Sequence, residues 1–425
     1  MSFQKNYEKL MDEMLGLEII DTHEHLMQES ERLALTPDFS TMFAHYCKGD
    51  LLAAGMTRAQ LDTFYSEKTP VDEKWAMFEP YYQVIQDGSY ARAAHIAMEK
   101  FYDMSRLNSL ADAEELTGKI RKANKKGLYK KVLKDTCNIR ISLNYGISTE
   151  QDPAYFAPVI FATDHTHPNR DFIRGIEAQV GVSCGNLNNY VSAIWEQFRQ
   201  LKEQGMKGIK FHSAYMRDLN FAATTHAQAE EVFLRITEEG YGWRNSHLGY
   251  RESKPLQDYL VHRFCEIAEE LDVPIIFHTG LQGDIDHNPD DSRPLRMWNL
   301  PHRYRNIDFV LLHAGLPWLE DAGLMAKQYS NVYLDLAWSQ LMSPEITTRA
   351  LKAWMDLVPM NKIFAFGGDY FVVEKVYGHL MIARQNIARA LADKMETAGM
   401  PFDRAKAWLQ AMFWDNPKRV FKLEI

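Results

Sequence analysis

The stretch "EIIDTHEHLMQE", residues 18–29, joins a short apolar run to a close group of side chains that can bind metal. Alternation along a strand puts His23 and His25 on the same side, so both imidazoles can reach one cation at about 2.1 Å. One such pair is a weak signal, since the chain has a second, His165 and His167. The Pro-Asn-Arg sequence after the second pair predicts a surface turn with solvated imidazoles.

Seven further β-rich runs follow the first one along the chain. The eight runs cover residues 17–21, 138–146, 172–180, 206–212, 273–278, 307–313, 331–336 and 362–369. Helical stretches such as 188–205 and 255–272 lie between the later runs, with apolar residues at helical spacing and Gly or Asp near their ends. Strands that alternate with helices in this way predict an α/β protein whose parallel sheet closes as a (β/α)8 TIM barrel.

The chain is longer than a barrel requires, because a TIM barrel needs about 250 residues and this chain has 425. The surplus lies mainly in residues 27–136, which are rich in helix formers and lack an alternating strand pattern. We interpret residues 1–425 as one TIM-barrel domain, with 27–136 as a helical insertion that caps its C-terminal mouth. A second long loop is predicted over 213–254, and its Trp243, like Trp338, is expected in the core, with the wall of the pocket as the alternative.

Composition and charge exclude several classes of function. The net charge is −9, and the one basic segment, 118–134, fits the solvated face of a helix, so nucleic-acid binding is not expected. No run approaches the roughly 18 apolar residues of a membrane span. The four cysteines show no CxxC spacing and fit a reducing compartment. We expect a cytoplasmic protein with a small-molecule substrate and no membrane partner, and barrels of this size often form homo-oligomers.

The strand ends carry the side chains that can do chemistry. In a TIM barrel the active site forms at the C-terminal ends of the strands. The first, fourth, fifth, sixth and eighth strands end in Asp21, His23, His25, Lys210, His212, His278, His313 and Asp369. Because these ends meet at one rim of the barrel, the sequence predicts a metal site there.

Six stretches, in this order, resemble the amidohydrolase superfamily: "DTHEHL", "KGIKFH", "VPIIFHTG", "FVLLHAGLPW", "NVYLDLAW" and "AFGGDYF". The likeness is strongest to its amidohydrolase-related (amidohydrolase 2) group, which includes small-acid decarboxylases, lactone hydrolases and a domain fused to some glutamine synthetases. The stretches span residues 17–370, and "DNPKRVF" (415–421) resembles the last helix of the family. The insertion is covered only loosely, although the uronate isomerase branch also places helices there.

The resemblance implies His23, His25 and His278 as ligands of a divalent metal, most simply zinc, with Asp369 completing the site or accepting a proton from the bound water. Zinc lowers the pKa of its water from roughly 15.7 to about 7, which supplies hydroxide at neutral pH. For Asp369 the alternative is a capping acid after a Gly-Gly turn. His313 then polarises the substrate carbonyl or binds a second metal, or it is a hydrogen-bonded histidine beside the ligands.

Lys210 has three interpretations. In binuclear members of the superfamily a lysine at the end of the fourth strand is carboxylated and bridges two metals, and "IKFHSAY" resembles that position. Lys210 can instead contact the substrate or an oxyanion, or form a buried ion pair. One metal is favoured, and two are expected if Lys210 is carboxylated. His212 has the same parity as Lys210 and is expected to face the mouth of the barrel as a substrate-binding residue.

Three arginines are candidates for binding a substrate carboxylate. Arg217, Arg293 and Arg296 fall in predicted loops after the fourth and fifth strands, where a guanidinium fork can clamp a carboxylate. The alternative for each is a surface ion pair, with Asp218 or Asp291 as the partner.

The sequence therefore predicts a metal-dependent hydrolase in which a metal-activated water attacks a carbonyl, lactone or amide carbon of a small carboxylated substrate. Nonhydrolytic decarboxylation and uronate-like isomerisation are alternatives on the same metal site. The "LLHAG" and "GIKFH" stretches fit the amidohydrolase-related group better than the uronate isomerases. A binding protein on an inactive barrel is a further alternative, weakened because no expected ligand is missing.

Overall fold

The computed structural model describes residues 2–239 and 250–425. Within them, parallel strands form one sheet in chain order. The strands are β1 Ile19–Glu24, β2 Ile139–Gly146, β3 Phe156–Phe161, β4 Gly208–Phe211, β5 Ile275–His278, β6 Phe309–Leu312, β7 Val332–Asp335 and β8 Ile363–Phe364. Backbone hydrogen bonds from Thr22 N to Phe366 O (3.0 Å) and from Asp369 N to His23 O (2.7 Å) join the segment after β8 to β1. The sheet nearly closes on itself, and the predicted TIM barrel is confirmed.

Helices surround the sheet and fill the long connection after β1. Before β2 these are α1 Phe3–Gly16, α2 Glu29–Ala34, α3 Cys47–Ala53, α4 Arg58–Tyr65, α5 Val71–Ile85, α6 Ser89–Tyr102 and α7 Leu110–Ala123. The later helices are α8 Thr163–Thr166, α9 Arg170–Val180, α10 Leu187–Glu203, α11 His226–Glu239, α12 Tyr250–Leu271, α13 Asn299–Arg303, α14 Leu319–Gln328, α15 Ser339–Met342, α16 Pro344–Leu357, α17 Val373–Thr397, α18 Phe402–Gln410 and α19 Asn416–Val420.

The third strand lies elsewhere than predicted. Residues 172–180 belong to helix α9, which begins after Asn169, whose side chain caps it, and ends at Gly181 in the left-handed conformation (φ 71°). The apolar residues of this segment repeat at helical spacing, and the strand prediction there is wrong. The true strand, Phe156–Phe161, contains Pro158, which lacks a backbone N–H and is rare inside a sheet, so the pattern did not indicate a strand.

The second histidine pair is buried, and the predicted solvated turn is wrong. His165 Nε2 lies 2.8 Å from Gln197 Oε1, and His167 Nδ1 lies 2.8 Å from Thr166 Oγ1. Both side chains are less than a tenth exposed. Their hydrogen bonds and burial explain them as parts of the core between α8 and α10.

The insertion between β1 and β2 has a core of its own. Aromatic rings fill it, with Phe64 stacked on Phe78 at 4.8 Å between centroids. The buried aromatic side chains of this core are Phe39, Phe43, Phe64, Trp75, Phe78, Tyr82 and Tyr102. A buried ion pair between Arg32 and Glu374 (3.1 Å) ties the insertion to α17, so its helices are anchored to the barrel helix that follows β8.

The N-terminal end of the barrel is closed by the end of the chain. Val420, Phe421 and Leu423 pack with inward-facing strand residues such as Ile20 and Ile276 in one apolar cluster. The interior at this end is therefore filled, and the C-terminal ends of the strands are left to form a site.

Part of the predicted loop over 213–254 is helical, because α11 and the start of α12 fall within it. Residues 240–249, with Trp243, lie outside the described residues. In the part of the chain that is described, no helix has both the length and the apolar character needed to cross a bilayer.

The burial of His165 predicts a loss of stability in acid. Burial lowers the pKa of His165 to about 4, whereas an unfolded histidine titrates near about 6.5, so the unfolded chain takes up the proton first. The free energy of unfolding therefore falls as the pH drops from about 6.5 toward about 4, by up to about 3 kcal/mol from this group. His165→Gln removes this contribution. Urea unfolding of the wild-type protein and of His165→Gln at about pH 7, 6 and 5 measures this contribution. Equal losses of unfolding free energy in the two proteins as the pH falls would contradict the prediction.

Candidate active site

A cavity of about 870 Å³ lies at the C-terminal ends of the strands. The strand ends supply one side of it: His23, His25, Lys210, His212, His278, His313 and Asp369. The insertion supplies another wall, which includes Ala44, His45, Tyr46, Lys48, Asp50, Tyr65 and Tyr90. The strand-end residues predicted to form the site therefore line a single cavity, with the exception of Asp21, which lies beneath it.

Two imidazoles converge on one carboxylate. His23 Nε2 and His25 Nε2 lie 3.3 Å and 3.2 Å from the same oxygen of Asp369, Oδ1. One potential ligand atom from each of the three residues lies within 4.8 Å of the others. Burial lowers the pKa of His23 well below its usual value, which keeps the imidazole neutral with a lone pair for a metal. Nitrogen and carboxylate donors in this arrangement are a set that zinc binds.

Two glycines allow the turn after β8 to approach β1 closely. A Cβ on Gly367 would lie 2.8 Å from the Cβ of His23, and a Cβ on Gly368 would lie 1.8 Å from Glu24 Oε1. Asp369 follows them with a left-handed backbone (φ 57°). The Gly-Gly sequence is thus required sterically for the carboxylate to reach the histidines.

Two buried acids bind the backbone of this turn. Asp21 Oδ1 accepts hydrogen bonds from the amides of His23 and Gly368, both at 3.2 Å, and Glu24 Oε2 accepts one from the Tyr370 amide at 2.8 Å. Burial, together with the charge of Asp21, raises the pKa of Glu24 well above its usual value. Burial therefore disfavours a negative charge on Glu24 beneath the histidines.

His278 and His313 lie beside this cluster, with ring centroids 4.5 Å apart. His278 Nε2 lies 2.9 Å from the carbonyl oxygen of Leu281, so Nε2 carries the proton and Nδ1 the lone pair. His313 Nδ1 lies 3.0 Å from the carbonyl oxygen of Ala337 and therefore donates to it. Burial lowers the pKa of His313 to about 4, so its ring is neutral and Nε2 has the lone pair. The three-residue cluster does not include His278, whose role as a ligand stays a prediction.

Lys210 is buried at the end of β4, with Nζ 5.4 Å from the centroid of the Tyr145 ring. Burial lowers the pKa of this lysine to about 7, although Asp369 and Asp335 oppose the shift. Among the described residues no carboxylate forms an ion pair with Lys210 within 4.0 Å. His212 is held at the same rim, where its Nδ1 lies 3.2 Å from Thr163 Oγ1.

The three arginines lie away from the cavity, and none of them lines it in the described part of the chain. Each is paired with an aspartate: Arg217 with Asp258 (2.7 Å), Arg293 with Asp321 (2.6 Å) and Arg296 with Asp218 (3.6 Å). Their predicted contact with a substrate carboxylate stays a prediction. The lysines that line the cavity are Lys48 and Lys210.

The sequence did not reveal the part of the cavity that the insertion supplies. His45 lines the cavity with a left-handed backbone (φ 64°), and Tyr46 stacks on Trp338 at 4.4 Å between ring centroids. Trp338, expected in the core, is buried and also part of the cavity wall. No strand end marks His45 or Tyr46, so spacing alone carried no signal for them.

The fold and the grouped side chains define a TIM-barrel protein with a candidate metal centre. The family model described as amidohydrolase matches residues 156–423, and the chain belongs to this family. The predicted resemblance is therefore confirmed.

Solved structures of related fold cover nearly the whole chain. A uronate isomerase from Thermotoga maritima is 15% identical, covers 98% of this chain and 97% of its own, and has a TM-score of 0.81. A glucuronate isomerase from Caulobacter crescentus is 14% identical, covers 100% and 95%, and has a TM-score of 0.78. A protein from Lactobacillus casei described as a metal-dependent hydrolase is 18% identical, covers 97% of each chain, and has a TM-score of 0.66. At these identities the likeness shows the fold.

One curated relative is similar over part of its length. Protein fluG of Emericella nidulans is 28% identical over 178 residues, which is 40% of this chain and 20% of fluG. The matched region thus spans about a fifth of that relative.

The close approach at Gly368 predicts a strong effect of one added methyl group. In Gly368→Ala the new Cβ overlaps Glu24, and we expect a loss of about 1–3 kcal/mol in unfolding free energy together with weaker metal binding. Gly118→Ala, in α7, is the matched control, because its Cβ meets no atom within 4 Å. The free energy of unfolding of Gly118→Ala is expected to rise by up to about 1 kcal/mol, because alanine has a higher helix propensity than glycine. Urea unfolding measures the free energy of unfolding, and elemental analysis measures the metal content. Equal unfolding free energies and equal metal contents in Gly368→Ala and Gly118→Ala would contradict the steric account.

Proposed function

We propose that this chain is a metal-dependent hydrolase that holds one divalent metal, zinc being favoured, through His23, His25 and Asp369, with His278 as a further ligand. The observation that supports it best is the convergence of two histidine Nε2 atoms on one oxygen of Asp369. When bound there, a divalent metal polarises a carbonyl group and lowers the pKa of water.

Hydrogen bonds behind the histidines support this assignment. His25 Nδ1 approaches the carbonyl oxygen of Tyr145 at 3.4 Å, and such a contact leaves Nε2 as the ligand atom. His278 Nε2 donates a hydrogen bond to the carbonyl oxygen of Leu281, so Nδ1 of His278 is the atom proposed to face the metal.

We assign proton transfer to Asp369 and contact with the reacting oxygen to Lys210. Asp369 is the carboxylate nearest the histidines, and it can take a proton from water and pass it to a leaving group. His313 offers a lone pair at Nε2, because its Nδ1 donates to Ala337. It therefore fits accepting a proton or binding a metal, and Lys210 is better suited than His313 to donate to a substrate carbonyl or oxyanion.

The proposed substrate is a carbonyl, lactone or amide compound with a carboxylate. Lys210 and Lys48 line the cavity and are proposed to bind that group, and Lys48 is also paired with Asp284 at 3.3 Å. His212 lines it as well and is proposed to contact the substrate. The insertion over 27–136 is proposed to act as the cap that encloses it within a single domain, since its residues form one wall.

The proposed location is the cytoplasm. All four cysteines are free and buried, which fits a compartment that keeps thiols reduced. Assembly into a homo-oligomer stays an expectation.

Metal analysis tests the proposed centre. Protein purified without chelator is expected to contain about one equivalent of metal, and His25→Ala and Asp369→Asn are expected to lose it while remaining folded by circular dichroism. About two equivalents would favour a carboxylated Lys210 that bridges two ions. An intact fold without metal, after growth with zinc and manganese, would contradict the proposal.

The reaction type can be separated from its alternatives with labelled water. In H2¹⁸O, a panel of lactones, amides of carboxylic acids and uronates is expected to give a hydrolysis product that contains one oxygen from solvent. A product with the same mass as the substrate would indicate isomerisation. Release of carbon dioxide from the substrate would indicate decarboxylation. Either outcome would replace hydrolysis on the same site.

Lys210 has an expected signature in kinetics. Lys210→Met is expected to keep its metal and to lower kcat/KM about a hundredfold, because the donor to the substrate oxygen is lost. Lys210→Arg is the conservative variant and should recover part of the activity. Loss of metal from Lys210→Met would instead favour the bridging role.

A further inference from the structure

Part of the cavity wall is apolar and faces solvent. Leu281, Ile285 and Phe371 line the cavity, and we call these three residues the apolar rim. Leu281 is 41% exposed and Phe371 48%. Large apolar side chains that face water within a concave site mark a surface that a ligand can cover.

The apolar rim lies next to the candidate metal centre. Phe371 follows Asp369 by two residues, and its ring centroid is 5.5 Å from that of His25. Leu281 follows β5, and its carbonyl oxygen accepts the hydrogen bond of His278. Leu281 follows β5 and Phe371 follows β8, so two separate strand ends contribute to the rim.

Hydrogen bonds hold the loop after β5 that carries Leu281 and Ile285. The Leu281 amide donates to the carbonyl oxygen of Leu316 at 2.7 Å, and the Gly283 amide donates to the hydroxyl of Tyr215 at 2.8 Å. Ile285 packs against the core of the insertion. The Leu281 and Ile285 part of the rim is therefore organised before a ligand arrives, which lowers the entropy cost of binding there.

We propose that the apolar rim is a subsite for an apolar arm, aryl or branched alkyl, of a substrate whose reacting carbonyl lies at the cluster of His23, His25 and Asp369. This inference rests on the proposed function and narrows its substrate class to carbonyl compounds with an apolar substituent. The distance from Phe371 to His25 implies that a short link joins the arm to the carbonyl. A cavity of about 870 Å³ has room for such a molecule, since pockets that bind drug-sized ligands measure about 300–1,000 Å³.

The size of the effect follows from the area that the arm covers. Covering a phenyl group and its apolar partners removes roughly 100 Å² or more from water, which corresponds to at least about tenfold tighter binding. A methyl group in place of the phenyl group covers little apolar area and therefore gains little binding free energy.

Two probes that share a metal-binding group test the subsite. Acetohydroxamic acid and phenylacetohydroxamic acid both present a hydroxamate to a metal and differ only in the phenyl arm. Calorimetry with the full-length, metal-loaded protein is expected to give a Kd at least about tenfold lower for the phenyl compound. In Phe371→Ala and in Leu281→Ala, the ratio of the two Kd values is expected to fall toward about one.

The matched control is Leu324→Ala. Leu324, in α14, is 42% exposed, nearly as much as Leu281, but it does not line the cavity. Its variant is expected to keep the wild-type ratio of Kd values. A ratio of Kd values that falls equally in Leu324→Ala would overturn the proposed subsite, because the tighter binding of the phenyl compound would then not depend on the apolar rim.

The remaining outcomes separate the two proposals. Binding of both probes with equal Kd would overturn the apolar subsite and leave the metal centre in place. Failure of both probes to bind the metal-loaded protein would overturn the proposed centre and the subsite with it. If Phe371→Ala does not fold by circular dichroism, Leu281→Ala decides the question, because it changes a partly exposed side chain and leaves the backbone contact to His278 intact.

Discussion

The close contact between the turn after β8 and the end of β1 controls both barrel closure and the candidate active site. Gly367 and Gly368 lack side chains at the two positions where a Cβ would overlap β1. This allows the Asp369 amide to bond to the His23 carbonyl oxygen at 2.7 Å. The same approach brings the Asp369 carboxylate to two imidazoles, so closing the sheet and assembling the candidate metal-binding group are one structural event.

Burial adjusts the chemistry of that group. The side chains of His23, His313 and Lys210 are buried, which disfavours charge on histidine and lysine. Burial lowers the pKa of His313 to about 4 and that of Lys210 to about 7. Neutral imidazoles are ligands or proton acceptors, and an amine that titrates near neutrality can act in catalysis. The proposed roles therefore follow from where the fold places these groups.

The insertion turns an open rim into a cavity. Its aromatic core and its buried Arg32–Glu374 ion pair fix it to the barrel, and Tyr46 completes a wall by stacking on Trp338. The apolar rim and the cluster of His23, His25 and Asp369 give this cavity two chemically different parts. The substrate proposed for these two parts has a reacting carbonyl at one end and an apolar arm at the other.

By itself the sequence determined the alternation of strands and helices, seven of the eight strands, and the strand-end residues His23, His25 and Asp369, because these depend on local spacing and on the rule that parallel strand ends share one rim. It misplaced β3, since Pro158 masks the strand pattern. Only the tertiary structure decided that Arg217 pairs with Asp258 away from the cavity and that the insertion reaches into it. Contacts between residues far apart in sequence produce no periodic pattern in the sequence. Only the folded structure shows them.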